Sequence, residues 1–172
     1  MAKLPGNLVR FLVVFGGAYL LWYFLYDFYL KPKTTFDERV IDNLVVLSEF
    51  ELKALGFSLI QYDDGQFKNH IGIEGSKGVT IGASCDGIVL FALFTIFILA
   101  FQGPRRHKFW FIPAGILAIH LVNSFRVTAL AWIVHVDEKW LAFNHDYTFT
   151  IIVYSLVFFA WYVWVKKFAA RN

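Results

Sequence analysis

The chain holds one cysteine, Cys85, in the stretch ASCDGI at residues 83–88. A single cysteine cannot close an internal disulfide, so its thiol is free, a ligand or a nucleophile. Two other polar residues stand out against apolar surroundings. Arg126 lies inside the run FWFIPAGILAIHLVNSFRVTALAWIVHV, with Asn123 three residues earlier on the same helix face. His145, with Asp146 beside it, heads a later apolar run. Each has a bland reading. A lone cysteine in an apolar setting is usually packing, Arg126 can be half of an ion pair with Asp86 or Asp146, and His145 can be an interfacial polar group. Taken together, the residue types suit covalent catalysis. The thiolate is the nucleophilic form of cysteine, favoured by a helix N-terminus and a nearby cation. Histidine moves protons near neutral pH. The arginine fork holds a developing oxyanion or orients a carbonyl. The set outlines acyl transfer: attack on a peptide carbonyl, a thioester, and release to an acceptor. No cofactor is called for. No metal site is read either, because the histidines show no ligand spacing beside a second Cys or His.

The elements that must position these residues are membrane helices. The 172-residue chain is 58% hydrophobic and 20% aromatic, with a mean hydropathy of +0.56, too apolar for an ordinary soluble domain. The expected fold is an α-helical integral membrane protein with about four transmembrane helices and a small extracytoplasmic α+β segment between the first and second. The whole chain, 1–172, reads as a single membrane domain. The spans fall at 8–30, 85–102, 109–136 (broken or projecting, because it is longer than a bilayer needs) and 147–165. The first run is too long for a signal-peptide core and reads as an uncleaved anchor. Positive charges are scattered between apolar runs, so nothing resembles a nucleic-acid surface.

Basic residues set the orientation. Lys3 and Arg10, the loop GPRRHK, and the tail KKFAARN are free of Asp and Glu. An even number of spans puts these three segments on one side, with both termini cytoplasmic. Segment 31–84 and loop 137–146 then face outward. In segment 31–84, Thr35 with Glu38 reads as a capping box opening a helix over 34–57 that Gly56 ends. FSLIQY, a DDG turn, QFKNHIGIE, a GSKG turn and VTIGAS follow as short strands and turns. Cys85 then lies at the outward start of the second span, and His145 at that of the fourth. From Phe109 to Arg126 a helix travels about 25 Å, so Arg126 nears the same face. Topology alone brings Cys, Arg and His to a similar depth.

These residues resemble the exosortase/archaeosortase family of membrane cysteine transpeptidases. The matches are C-x-G in Cys85-Asp86-Gly87, N-x-x-R in Asn123-Ser124-Phe125-Arg126, and the histidine of FNHDYTF, in that order and with the basic loop between the first two. The resemblance covers about residues 78–165, and the chain resembles the compact bacterial forms. It departs from the family pattern in having Asp86, not a small residue, after the cysteine. An acid there opposes the thiolate unless it pairs with Arg126 or points outward. The resemblance implies that Cys85 is the nucleophile and that Arg126 and His145 complete the catalytic triad. Asn123, Asp86, Gly87 and Asp146 are then supporting or substrate-side residues. It further implies an exported substrate protein ending in a short motif, an apolar helix and a basic tail, cut near the motif and passed to an unknown acceptor. The setting implied is the bacterial cytoplasmic (inner) membrane, with the lipid bilayer around the spans and the site facing outward.

The alternative is a non-enzymatic membrane assembly or scaffold protein whose outer segment binds a partner and needs no thiol. A proton or ion path through Arg126, His120 and His145 ranks below both, because no ionisable residues continue it toward the cytoplasm.

Overall fold

The computed structural model describes residues 6–61, 68–83 and 85–169. Lys3, Arg171 and the DDG turn lie outside them. In chain order the elements are α1 (Gly6–Leu25), a π turn (Tyr26–Leu30), α2 (Lys31–Lys33), α3 (Phe36–Ala54), β1 (His70–Ile71), β2 (Val79–Thr80), α4 (Ile88–Ala100) and α5 (Arg105–Asp137). A 3-10 turn (Glu138–Trp140), α6 (Leu141–Phe143), a π turn (Asn144–Thr148), α7 (Phe149–Trp164) and a last π turn (Val165–Ala169) complete them. The fold is helical. Two stretches, Gly6–Lys33 and Arg105–Ala169, contain helix long and apolar enough to cross a membrane.

Several expectations change. The third run is an unbroken helix of 33 residues even though Pro113, which lacks a backbone N–H, lies inside it. The second helix has only 13 residues, shorter than 85–102. It opens at Ile88, and Cys85 precedes it in bent chain rather than standing in its first turn. Thr35 is the N-cap of α3 but makes no side-chain capping bond, so the capping box does not form. The strands are two residues long, because turns consume most of the polar segment.

The chain divides into two compact units. The first comprises 1–34, 88–118 and 156–172; the second comprises 35–87 and 119–155. The first unit is built on aromatic packing. Phe97 stacks on Trp161 at 4.3 Å between centroids, and Phe11 meets Phe97 and Phe101 edge-on. Phe94 is fully buried against Gly115, where any Cβ would collide with its ring. Lys108 donates to the carbonyls of Leu99 (2.9 Å) and Phe101 (2.7 Å), satisfying acceptors that the end of α4 leaves open.

The second unit has its own core. In α3, Ile41, Leu44, Ser48 and Leu52 recur at helical spacing and form the buried face. Ile41, Leu44 and Leu52 join Ile71, Ile73, Ile81, Val127 and Ala131, with Cys85 packed at the margin. A polar clasp crosses this seam. Glu51 accepts from the hydroxyls of both Ser124 and Thr128. Ser48 donates to the Ser124 carbonyl at 3.3 Å. Buried hydroxyls are tolerated because they are bonded.

The sheet is antiparallel, pairing His70 with Thr80 and Ile71 with Val79. On its far side, Ile60 N–H donates to Gly72 O and Glu74 N–H to Ser58 O, so 70–74 runs between two neighbours. His70 braces the turn: its Nε2 lies 2.8 Å from Lys77 O and its Nδ1 2.8 Å from Thr80 Oγ1. A carbonyl only accepts, so Nε2 carries the proton and, in the neutral ring, Nδ1 accepts from the threonine hydroxyl. Gly78, at φ +67°, permits this: a Cβ there would stand 2.5 Å from His70 Nε2.

The clasp gives a direct stability test. Thr128→Val removes one donor to Glu51 at constant shape and is expected to lower stability by about 1 kcal/mol. Glu51→Ala, which strips both hydroxyls of their acceptor, should cost more. Thermal unfolding of the detergent-solubilised full chain reads both; equal midpoints for all three proteins would count against the clasp.

Candidate active site

Every sequence-predicted site residue belongs to the second unit. Cys85 sits in a bend, its amide donating to Gly82 O at 2.9 Å. Gly87 follows at φ +80°, a conformation that side-chain-bearing residues rarely adopt. Asn123, 1% exposed, donates from Nδ2 to the Cys85 carbonyl at 2.6 Å. α5 therefore holds the backbone of the nucleophile candidate directly.

His145 lies in the π turn that precedes α7. Its Nε2 is 3.1 Å from Cys85 Sγ, and its Nδ1 is 2.8 Å from Asp146 Oδ1. An ionised carboxylate only accepts, so Asp146 assigns the Nδ1 proton and leaves Nε2 to face the sulfur. In the neutral pair Nε2 accepts from the thiol; after proton transfer the imidazolium donates to the thiolate. Asp146 is 61% exposed on its side chain, so water screens its charge and its main effect is orientation.

Arg126 donates to the His145 carbonyl at 3.4 Å, and Thr150 Oγ1 donates to the same oxygen at 3.2 Å. The Nε of Arg126 is buried and has no hydrogen-bond partner among the described residues. Of the two carboxylates that the bland reading offers Arg126 as ion-pair partners, Asp146 is bonded to His145. Asp86 is 2% exposed, so it does not point outward.

A cavity of about 370 Å³ joins these groups. Cys85, Arg126, His145 and Asp146 line it, with Val79, Ile81, Val127, Leu130, Leu141 and Ala142 as apolar wall. His70, Gly78 and Thr80 also face it. In the sequence those three read only as strand and turn. The available signal was that VTIGAS leads straight into the cysteine. His120 does not join the site; its Nε2 is 2.7 Å from Asn43 Oδ1. Among the described residues no group of three or more His, Cys, Asp or Glu is arranged to hold a metal.

Comparison with family models, with curated proteins and with solved structures finds no match to this chain.

Asn123→Leu keeps the size of the side chain but leaves the Cys85 carbonyl without its donor. It is expected to cost about 1–3 kcal/mol and to slow alkylation of Cys85 by iodoacetamide. An unchanged unfolding midpoint together with an unchanged alkylation rate would show that the 2.6 Å bond does not position the cysteine.

Proposed function

We propose that the chain is a membrane-embedded cysteine transpeptidase or peptidase, of the exosortase/archaeosortase type, acting on the C-terminal sorting signals of exported proteins. The observation that carries the reading is the contact of Cys85 Sγ with His145 Nε2 at 3.1 Å beside Arg126 in one cavity.

The geometry supports a definite sequence of steps. Cys85 Sγ gives its proton to His145 Nε2 and attacks the scissile carbonyl carbon. The carbonyl π electrons move to oxygen, and the oxyanion draws on the guanidinium of Arg126, whose buried Nε–H is a donor without a partner among the described residues. The intermediate collapses to a thioester as the C–N bond breaks. The leaving amine takes its proton from His145 Nε2, restoring the neutral ring. An acceptor nucleophile or water then attacks the thioester, losing its proton to Nε2, and the thiol is regenerated. Asp146 keeps the ring in the required tautomer throughout, as a positioning residue.

In this reading four helical segments span the bacterial cytoplasmic membrane, with both termini cytoplasmic and with segment 31–84 and loop 137–146 facing outward. The 13 residues of α4 reach only about 20 Å, so the bilayer thins locally or flanking residues complete the crossing. A site at the outer boundary suits a scissile bond lying just outside the substrate's own membrane helix.

Co-expression with exported proteins that end in a motif, an apolar helix and a basic tail tests the proposal. The unaltered chain should shorten a cognate substrate, and mass spectrometry should find its acyl fragment as a thioester on Cys85. Cys85→Ala should abolish processing while still inserting, and His145→Ala should slow it by about 10²–10⁴-fold. Normal processing by Cys85→Ala would sink the reading.

A further inference from the structure

We infer that the free edge of β2 is the backbone-binding rail of the site, and that it takes an extended peptide segment as an added β-strand. The inference rests on the acyl-transfer reading above and concerns how that substrate is held.

The register settles which groups face outward. Ile81 N–H donates to Asn69 O at 2.7 Å, so 69 and 81 form a hydrogen-bonded pair. Pairs alternate along an antiparallel ladder. His70 and Thr80 therefore form a non-hydrogen-bonded pair, and the amide and carbonyl of Thr80 point away from β1. Among the described residues neither has a backbone partner. The other flank of 70–74 is already taken by 58–60, so β2 is the open side of the sheet.

Exposed edges invite strand addition, and folded proteins blunt them with charges or proline. This edge carries neither: it reads Gly78-Val79-Thr80-Ile81-Gly82. Lys77, the nearest cation in sequence, is drawn aside to Glu138 at 2.7 Å. The unblunted edge opens on the cavity that holds the thiol, since Thr80, Ile81, Cys85, Arg126 and His145 all line it. The rail is thus continuous with the proposed site of reaction. A strand laid on Thr80 exchanges main-chain bonds with it, and alternate side chains point toward the apolar wall at Val127 and Leu130. Recognition is then of backbone extension plus small apolar side chains, a chemistry that fits an extended motif preceding a membrane helix.

The probe is acetyl-tetra-alanyl chloromethyl ketone, whose methylene carbon is attacked by the thiolate with loss of chloride. Iodoacetamide is the backbone-free reference, measured on the same full-length protein in detergent micelles. The peptide reagent should alkylate Cys85 faster than iodoacetamide. N-methylating one internal amide of the peptide should reduce that preference by roughly tenfold, as expected for a lost hydrogen bond and its poorly solvated partner. Thr80→Pro deletes the outward N–H and leaves the main-chain bonds to β1, but it also removes the hydroxyl that bonds His70 Nδ1; measured against Thr80→Val, which removes the hydroxyl alone, it should reduce the preference similarly. A peptide-to-iodoacetamide ratio that is near one, or indifferent to every N-methyl position, overturns the rail even if Thr80→Pro fails to fold. Failure of iodoacetamide itself to label Cys85 overturns the nucleophile reading instead, and the rail with it.

Discussion

The arrangement of the second unit depends on one short piece of α5, Asn123–Thr128, and on the hydrogen bonds that its buried polar side chains must make. Asn123, Ser124 and Thr128 are 1%, 0% and 6% exposed. Left unbonded, each would carry a desolvation penalty. Helical spacing sends them in different directions. Ser124 and Thr128, one turn apart, both reach Glu51 on α3. Asn123 turns to the carbonyl of Cys85, and Arg126 to that of His145. A slip of one residue along the helix rotates every side chain by 100° and strands all of them at once. The cost of unpaired polar groups therefore fixes the register of α5 more sharply than the apolar contacts of Val127 and Ala131, which tolerate small shifts.

A second device fixes the histidine. The π turn Asn144–Thr148 departs from regular helical hydrogen bonding, and such turns recur at functional sites. Here the carbonyl of His145 receives both Arg126 and Thr150. With the backbone held and Nδ1 bonded to Asp146, the ring has little freedom left. Its one unassigned nitrogen is directed at sulfur. Arg126 thus has two jobs in the proposed chemistry: it anchors the histidine backbone by one N–H, and another N–H remains for an oxyanion.

The meeting of Cys85 with His145 and the presence of Arg126 beside them were legible, because both follow from the order of apolar runs and from polar residues placed near their ends. Helix identity was legible for the same reason: long runs of 3.6-residue pattern are strong signals. Finer features were not. The bend at Cys85 depends on the reach of its amide to Gly82 O and on the positive φ of Gly87, which no periodicity announces. Thr35 and Glu38 have the residue types of a capping box, yet the box does not form, since type does not fix side-chain torsion. The roles of His70 and Thr80 require the pairing register of strands only two residues long, set by contacts distant in sequence. For Asp86 the sequence leaves pairing with Arg126 and an outward direction both open, and only tertiary packing excludes the second, leaving it 2% exposed.

The thiol stands in a bend and not in a helix. Cys85 packs one side against the apolar core and turns the other to the cavity. A helical cysteine would share its carbonyl with the next turn; here that carbonyl is free to accept from Asn123. The amide is likewise committed locally, to Gly82. Both backbone groups of the nucleophile candidate are satisfied by partners within the second unit. The position of the sulfur therefore follows the α3–α5–sheet assembly of the second unit, the same assembly that carries His145, Arg126 and the β2 edge. Any substrate-induced shift within that assembly would have to break buried polar bonds on several sides, so the groups of the site are expected to move together or not at all.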